Sequence, residues 1–117
     1  MAVGLEHVRL SYDYLNRGDT DGYASLLDTA VRLDQPGQEP IRGRRAAERL
    51  AAVRQLRGTG EHIVHDVFAS GGRVAATGRF VGEYRGSAIE VDFADIFTLS
   101  NDGLLVEQKC YHYVDPA

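Results

Sequence analysis

The sequence predicts an α+β fold: a curved, cone-shaped antiparallel β-sheet wrapped by three N-terminal helices. Three observations predict it. Apolar residues recur at helical spacing through the first half, period-two alternation rich in β-branched and aromatic residues fills the second half, and every gap between alternating runs carries turn chemistry. Helices gathered ahead of an antiparallel meander with one apolar face point to α+β, not to alternating βαβ units. At 117 residues, 44% hydrophobic and 26% charged, the chain suits one core, and we expect one domain over residues 1–117.

Leu5, Val8, Tyr12 and Leu15 make Leu5 to Asn16 an amphipathic helix ending near Gly18. Asp19, Thr20 and Asp21 offer capping oxygens and negative charge to a second, shorter helix carrying Tyr23, Leu26 and Leu27. Ala30 to Asp34 reads as a short strand, with Val31 and Leu33 on one face and Arg32 and Asp34 on the other. Two prolines and a glycine in Gln35-Pro36-Gly37-Gln38-Glu39-Pro40 then force a loop. Gly43 to Leu56 is rich in strong helix formers, with Ala46, Leu50, Val53 and Leu56 as its apolar face and Gly58 and Gly60 ending it. Four strands follow: Glu61 to Ala69, Arg73 to Tyr84, Ser87 to Leu99 and Leu104 to Val114. Gly71-Gly72, Arg85-Gly86 and Asn101-Asp102-Gly103 separate them as a meander. The mouth of the resulting cone is the natural pocket.

Composition excludes several functions. A net charge of -4 provides no basic footprint for nucleic acid and no polybasic membrane patch. A single cysteine, Cys110, permits neither an internal disulfide nor a multi-cysteine zinc site and suits a reducing cytoplasm. No apolar run is long enough to span a bilayer, and the first residues do not read as a secretory leader, so a cytoplasmic protein is expected. There is no Gly-rich phosphate loop, nucleophile elbow or cofactor fingerprint, and we expect no cofactor and no metal.

One strand carries a chemical anomaly. Val91, Phe93, Asp95, Phe97 and Leu99 share one face, so a carboxyl sits inside an apolar row, where it is costly to ionise. A register shifted by one residue would instead put Asp92 inside and Asp95 in water. In the favoured register the final strand aligns Gln108, Cys110 and His112 on one face, which either walls the pocket or meets another subunit.

The chain resembles the ketosteroid isomerase and SnoaL-like polyketide cyclase branch of the nuclear-transport-factor-two-like superfamily. The resemblance runs from about Leu5 to Val114 and is carried by three stretches: Leu15 to Gly22, then Val31 to Gly37 through Arg42-Gly43, and then Glu83 to Gly86 leading to Asp95-Ile96-Phe97 and Asp102-Gly103-Leu104. It implies a cystatin-like α+β barrel in which Asp34 is the proton-moving base and Asp95 a protonated hydrogen-bond donor to the substrate oxygen, the division of labour known in ketosteroid isomerase. The isomerase tyrosine donor aligns with Ser11, leaving Tyr12 one step away, and a second tyrosine aligns with Ala51. These departures argue for a different substrate. His112 would serve as a second acid or base.

Tyr14, Leu50, Phe80, Phe93, Phe97, Gln108 and Cys110 are the expected substrate-binding residues. Cys110 reads more simply as a small buried hydrophobe than as a nucleophile. His62, His65 and Asp66 look like a ligand cluster, yet on a strand His62 and Asp66 point away from His65. Arg42, Arg44, Arg45 and Arg49 read as a solvated face or as a receiver of carboxylate or phosphate. Tyr84, Tyr111 and Tyr113 suit a cavity or an interface. The expected activity is cofactor-independent acid-base chemistry, isomerisation or cyclisation, on an apolar carbonyl-bearing small molecule, in a homodimer formed through the sheet. Epoxide hydrolysis or opening, and a non-catalytic binding or association module, are the alternatives.

Overall fold

The structure, a computed structural model of the chain, describes residues 2–56, 60–84 and 86–113. Helices α1 (Ala2–Arg17), α2 (Thr20–Ser25) and α3 (Arg44–Leu56) accompany strands β1 (Leu27–Asp34), β2 (Ile41–Arg42), β3 (Gly60–Ser70), β4 (Arg73–Tyr84), β5 (Ser87–Leu99) and β6 (Leu105–His112). Gly58, Arg85 and Val114, which figured in the expected boundaries, lie outside the described residues. The first helix ends at Gly18, whose φ of 74° needs a residue without a Cβ. Asp19 caps α2 by accepting from the Gly22 amide at 2.8 Å.

The α+β architecture is the expected one. The strands form a curved, open six-stranded sheet in the order β2-β1-β6-β5-β4-β3, with β3 to β6 as the antiparallel meander. One seam departs from the antiparallel expectation, because β1 runs parallel to β6. The cause is local. Leu26 is the C-cap of α2 and Leu27 opens β1, so neither belongs to the helix, and Leu105 N donates to Leu26 O at 2.8 Å. The chain then travels through β2, α3 and the meander before β6 returns beside β1 in the same direction.

Strand alternation sorts the two faces. Val31 and Leu33 of β1, Val74 and Ala76 of β4, Phe93, Asp95 and Phe97 of β5, and Leu105 of β6 are buried beneath Val8 and Tyr12 of α1 and Ala47 and Ala51 of α3. Helix α3 meets this core one residue out of the expected phase. Its buried residues are Ala47 and Ala51, with Arg54 continuing the stripe, whereas Leu50 is half-buried and Val53 is 44% exposed. Alanines on the contact stripe let the helix lie close to the sheet and push its larger side chains to the rim.

Strand β3 holds a second departure. Its pairing with β4 shifts between Val64 and Asp66, which leaves His65 as the extra residue of a bulge. His62 pairs with Phe80 on the inner face, but Asp66 pairs with Thr77 on the outer one. The expectation that His62 and Asp66 share a side therefore fails, and among the described residues no group of three metal-ligating side chains forms.

Candidate active site

The inner face converges on Asp95, which is only 2% exposed. Cross-strand pairing sets Asp95 opposite Cys110, Phe97 opposite Gln108 and Phe93 opposite His112, so the polar row of β6 lies on the same side as the carboxyl. From above, Tyr12 of α1 donates its hydroxyl proton to Asp95 Oδ2, and Gln108 Nε2 donates to the same oxygen at 3.2 Å. The Cys110 thiol, opposite on β6, lies against the carboxyl without bonding Oδ1. Asp95 Oδ1 is buried and has no partner among the described residues.

Electrostatics follow from that enclosure. Burial raises the Asp95 carboxyl above the ordinary carboxylate range and outweighs the opposing hydrogen bonds from Cys110, Tyr12 and Gln108 and the opposing charge of His112. Burial, the Asp95 charge and the hydrogen bond to it push the Tyr12 phenol far up, so it stays a neutral donor. The Cys110 thiol is raised by burial and by Asp95, which makes it a donor and not a thiolate nucleophile. With Oδ2 accepting from Tyr12 and Gln108, a proton on this carboxyl would sit on Oδ1, the oxygen with no partner. A buried hydroxyl with no acceptor is costly unless a ligand oxygen supplies one.

Two residues that sequence reasoning missed complete the wall. His62 packs its ring 5.5 Å from Tyr12, 5.0 Å from Phe80 and 5.6 Å from Phe93, centroid to centroid. Burial, helped by Arg54 and His112, lowers its imidazole to about 4, so it is neutral near pH 7. Asn16 of α1 pins this residue by donating to His62 O and accepting from His62 N, both at 2.8 Å. Arg54 donates to Gln35 Oε1, and its guanidinium interacts electrostatically with Tyr23, His62 and Cys110. Tyr23 is pushed up to about 12 by its burial, against the opposing charge of Arg54. The signal for His62 was its phase with Val64 on an alternating strand. The signal for Arg54 was the Ala47, Ala51, Arg54 spacing.

The other expected site residues divide. Tyr12, Phe93, Phe97, Gln108 and Cys110 gather around Asp95, and Phe80 joins through His62. His112 stands at the end of the same row and is exposed. Leu50 is on the rim of α3 and not on its buried stripe. Tyr14 lines a separate cleft of about 10 Å³ with Leu15, Gly18, Asp19, Thr20 and Ala51, room for about one water. Ser11 is buried but bonds its own helix, donating to Val8 O at 2.6 Å.

Asp34 does not join Asp95. It pairs in register with Lys109, one step out of phase with Gln108 and Cys110, and so lies on the outer face of the sheet. There it receives Arg32 Nε at 3.0 and 3.1 Å. The inward positions of β1 are taken by Val31 and Leu33, which leaves the adjacent Asp34 no inward path. The expected sharing of one cavity by the two aspartates is thus corrected.

The profile of the SnoaL-like domain matches residues 8–108. No curated protein sequence is significantly similar to the chain. Among solved structures, the Bal32a protein from a soil-derived mobile gene cassette is 24% identical, with a TM-score of 0.85 over 96% of this chain and 90% of that one. An LEH-like epoxide hydrolase of M. tuberculosis is 18% identical, with a TM-score of 0.87 over 97% and 84%. A nuclear-transport-factor-2-like protein of unknown function from Burkholderia pseudomallei is 20% identical, with a TM-score of 0.81 over 97% and 92%. At these identities the likeness is one of fold.

Proposed function

The chain belongs to the SnoaL-like domain family, and from that premise we propose that it is a cofactor-independent acid-base enzyme acting on a hydrophobic, carbonyl-bearing small molecule, as an isomerase or polyketide-type cyclase. The observation that carries this reading is Asp95 Oδ1, a buried oxygen with no partner on a carboxyl whose other oxygen is held by Tyr12 and Gln108. Asp95 donates its proton in a hydrogen bond to the substrate carbonyl, where enolate charge develops, and Tyr12 and Gln108 fix its orientation. His112, on the same row and within electrostatic reach of Asp95 and His62, takes the proton from the adjacent carbon. Phe80, Phe93, Phe97 and His62 supply the apolar walls. The substrate enters at the rim, where His62, Phe80, Gln108 and Cys110 are half-buried and His112 is exposed. Asp34, on the outer face, has no part in this scheme.

The outer face supports the remaining part of the reading, a homodimer. Its centre is apolar and its margins carry the Arg79–Asp92 and Arg32–Asp34 ion pairs.

The deciding experiment is a carbon-detected NMR titration of the Asp95 carboxyl with and without 2-naphthol, an enolate mimic. Titration well above the ordinary aspartate value of about 3.9, with a shift on naphthol binding, supports the enzyme reading. Normal titration and no binding overturn it in favour of a non-catalytic module. Turnover of epoxides without turnover of enolisable ketones would move the reading to ring opening, with the same acid protonating the epoxide oxygen.

A further inference from the structure

A concavity lies away from Asp95, at the start of α3. It has a volume of about 400 Å³ and is lined by Thr29, Arg42, Gly43, Arg44, Arg45, Ala46 and Arg49. Four arginines from two elements line it in a chain whose net charge is -4. Among the described residues none of the four has a carboxylate within ion-pairing distance, and Glu48, the acid between them in sequence, pairs with none.

This arrangement works against stability. Arg42 lies directly opposite Arg32 across the β1–β2 pair, and like charges facing each other across strands repel. Arg44 and Arg45 occupy the first turn of a helix, where the backbone favours negative charge. By contrast, Asp19 caps α2, Asp21 lies in its first turn, and Arg17 lies in the last turn of α1. Gly43, at φ 93° before α3, has no side-chain oxygen to cap the first amides, so that role is open to an outside oxygen. An internal gain from so many unpaired arginines is missing, and an external anion supplies one.

We propose that this concavity binds a phosphate ester carried by a small soluble molecule. Guanidinium groups match phosphoryl oxygens in paired hydrogen bonds, which favours phosphate over a simple counterion. The volume falls within the roughly 300–1,000 Å³ usual for small-molecule sites, so the ligand extends beyond its phosphoryl group. Arg42, Arg44, Arg45 and Arg49 would supply the guanidinium donors, and Thr29 a hydroxyl. Along α3, Arg44 and Arg54 are ten residues apart, about 15 Å, which separates this site from the Asp95 wall. The proposal stands whether or not the Asp95 site is catalytic.

The test uses phenyl phosphate and inorganic pyrophosphate, titrated at constant ionic strength against sodium chloride, with amide shifts read at Gly43 to Ala46. Saturable shifts confined to that segment are expected. The Arg44→Gln/Arg45→Gln double variant should weaken binding by at least about tenfold, and Arg79→Gln, on the outer sheet face, should leave it unchanged. A second readout is thermal. Pyrophosphate should raise the Tm of the wild type and not of the double variant, while the double variant without ligand melts above the wild type because two positive charges at the start of α3 are gone. Shifts no larger than those from chloride, or undiminished binding by the double variant, would overturn the proposal. So would flotation with phosphatidylglycerol vesicles in the absence of phenyl phosphate binding, which would make the patch a lipid-surface contact.

Discussion

Two buried groups give the candidate site opposite pH dependences, and single substitutions separate them. The native Asp95 carboxyl holds its proton above 3.8, where the unfolded chain has lost it, so this group's contribution falls as pH rises from 3.8 toward the native value. His62 runs the other way. Its native imidazole titrates at about 4 against 6.5 unfolded, so its contribution is complete above pH 6.5 and is lost as pH falls to about 4. That loss is at most roughly 3.5 kcal/mol, at about 1.4 kcal/mol per pH unit. In urea melts at pH 4, 5, 6 and 7, Asp95→Asn should therefore gain on the wild type as pH rises. His62→Phe, a similar ring among Phe80, Phe93 and Tyr12, should gain as pH falls. Curves parallel to the wild type would mean that neither group is perturbed. Asp95 was legible in the sequence because a carboxyl in an apolar row violates strand alternation at one position. His62 was not, because regular alternation sets it on one side with Asp66, and only the bulge at His65 turns His62 inward and Asp66 outward.

At the scale of elements, hydrogen bonds from one side chain tie the end of α1 to the edge strand β3. Asn16 pairs with both backbone groups of His62, covering an edge that has no further strand. Asn16→Ala should cost about 1–3 kcal/mol by calorimetry or urea melt, since two backbone groups lose their partner. It should also broaden the His62 ring signals in NMR, because the same clamp positions the imidazole. Gly78 makes a second joint. A Cβ there would sit 2.1 Å from Ile63 O and 3.0 Å from Phe93 Cζ, so β3, β4 and the Phe93 ring close only over glycine. Gly78→Ala is expected to cost about 1–3 kcal/mol or more by the same melts, and stability within 0.5 kcal/mol of wild type would contradict this packing. The meander of β3 to β6 was legible because its turns and alternation are local. The β1–β6 seam was not, since no short-range pattern shows that the last strand returns parallel to the first. The phase of α3 was missed for a related reason: sequence favours Leu50 and Val53 as the buried stripe, while close packing on the sheet selects Ala47 and Ala51.

For the whole molecule, the parallel β1–β6 seam decides which faces meet what. By setting Asp34 opposite Lys109, it holds Asp34 on the outer face, the side that the alternation of β1 already sets apart from Val31 and Leu33. The outer face then has the layout of an interface. Phe68 is 58% exposed and Tyr111 49%, on strands joined by the outward Ala75, Ala94 and Ile96, and Ile63 stands near the Arg79–Asp92 pair. An apolar centre with a charged margin is the anatomy of association surfaces, and a stable pair needs about 800 Å² from each partner. Sedimentation equilibrium of the wild type should therefore give twice the chain mass of 12.9 kDa. Phe68→Glu should give the single-chain mass with an unchanged circular dichroism spectrum, because the side chain points away from the core and its replacement costs the fold little. A wild type that stays single at about 100 μM would instead leave this face solvated or reserved for a different protein.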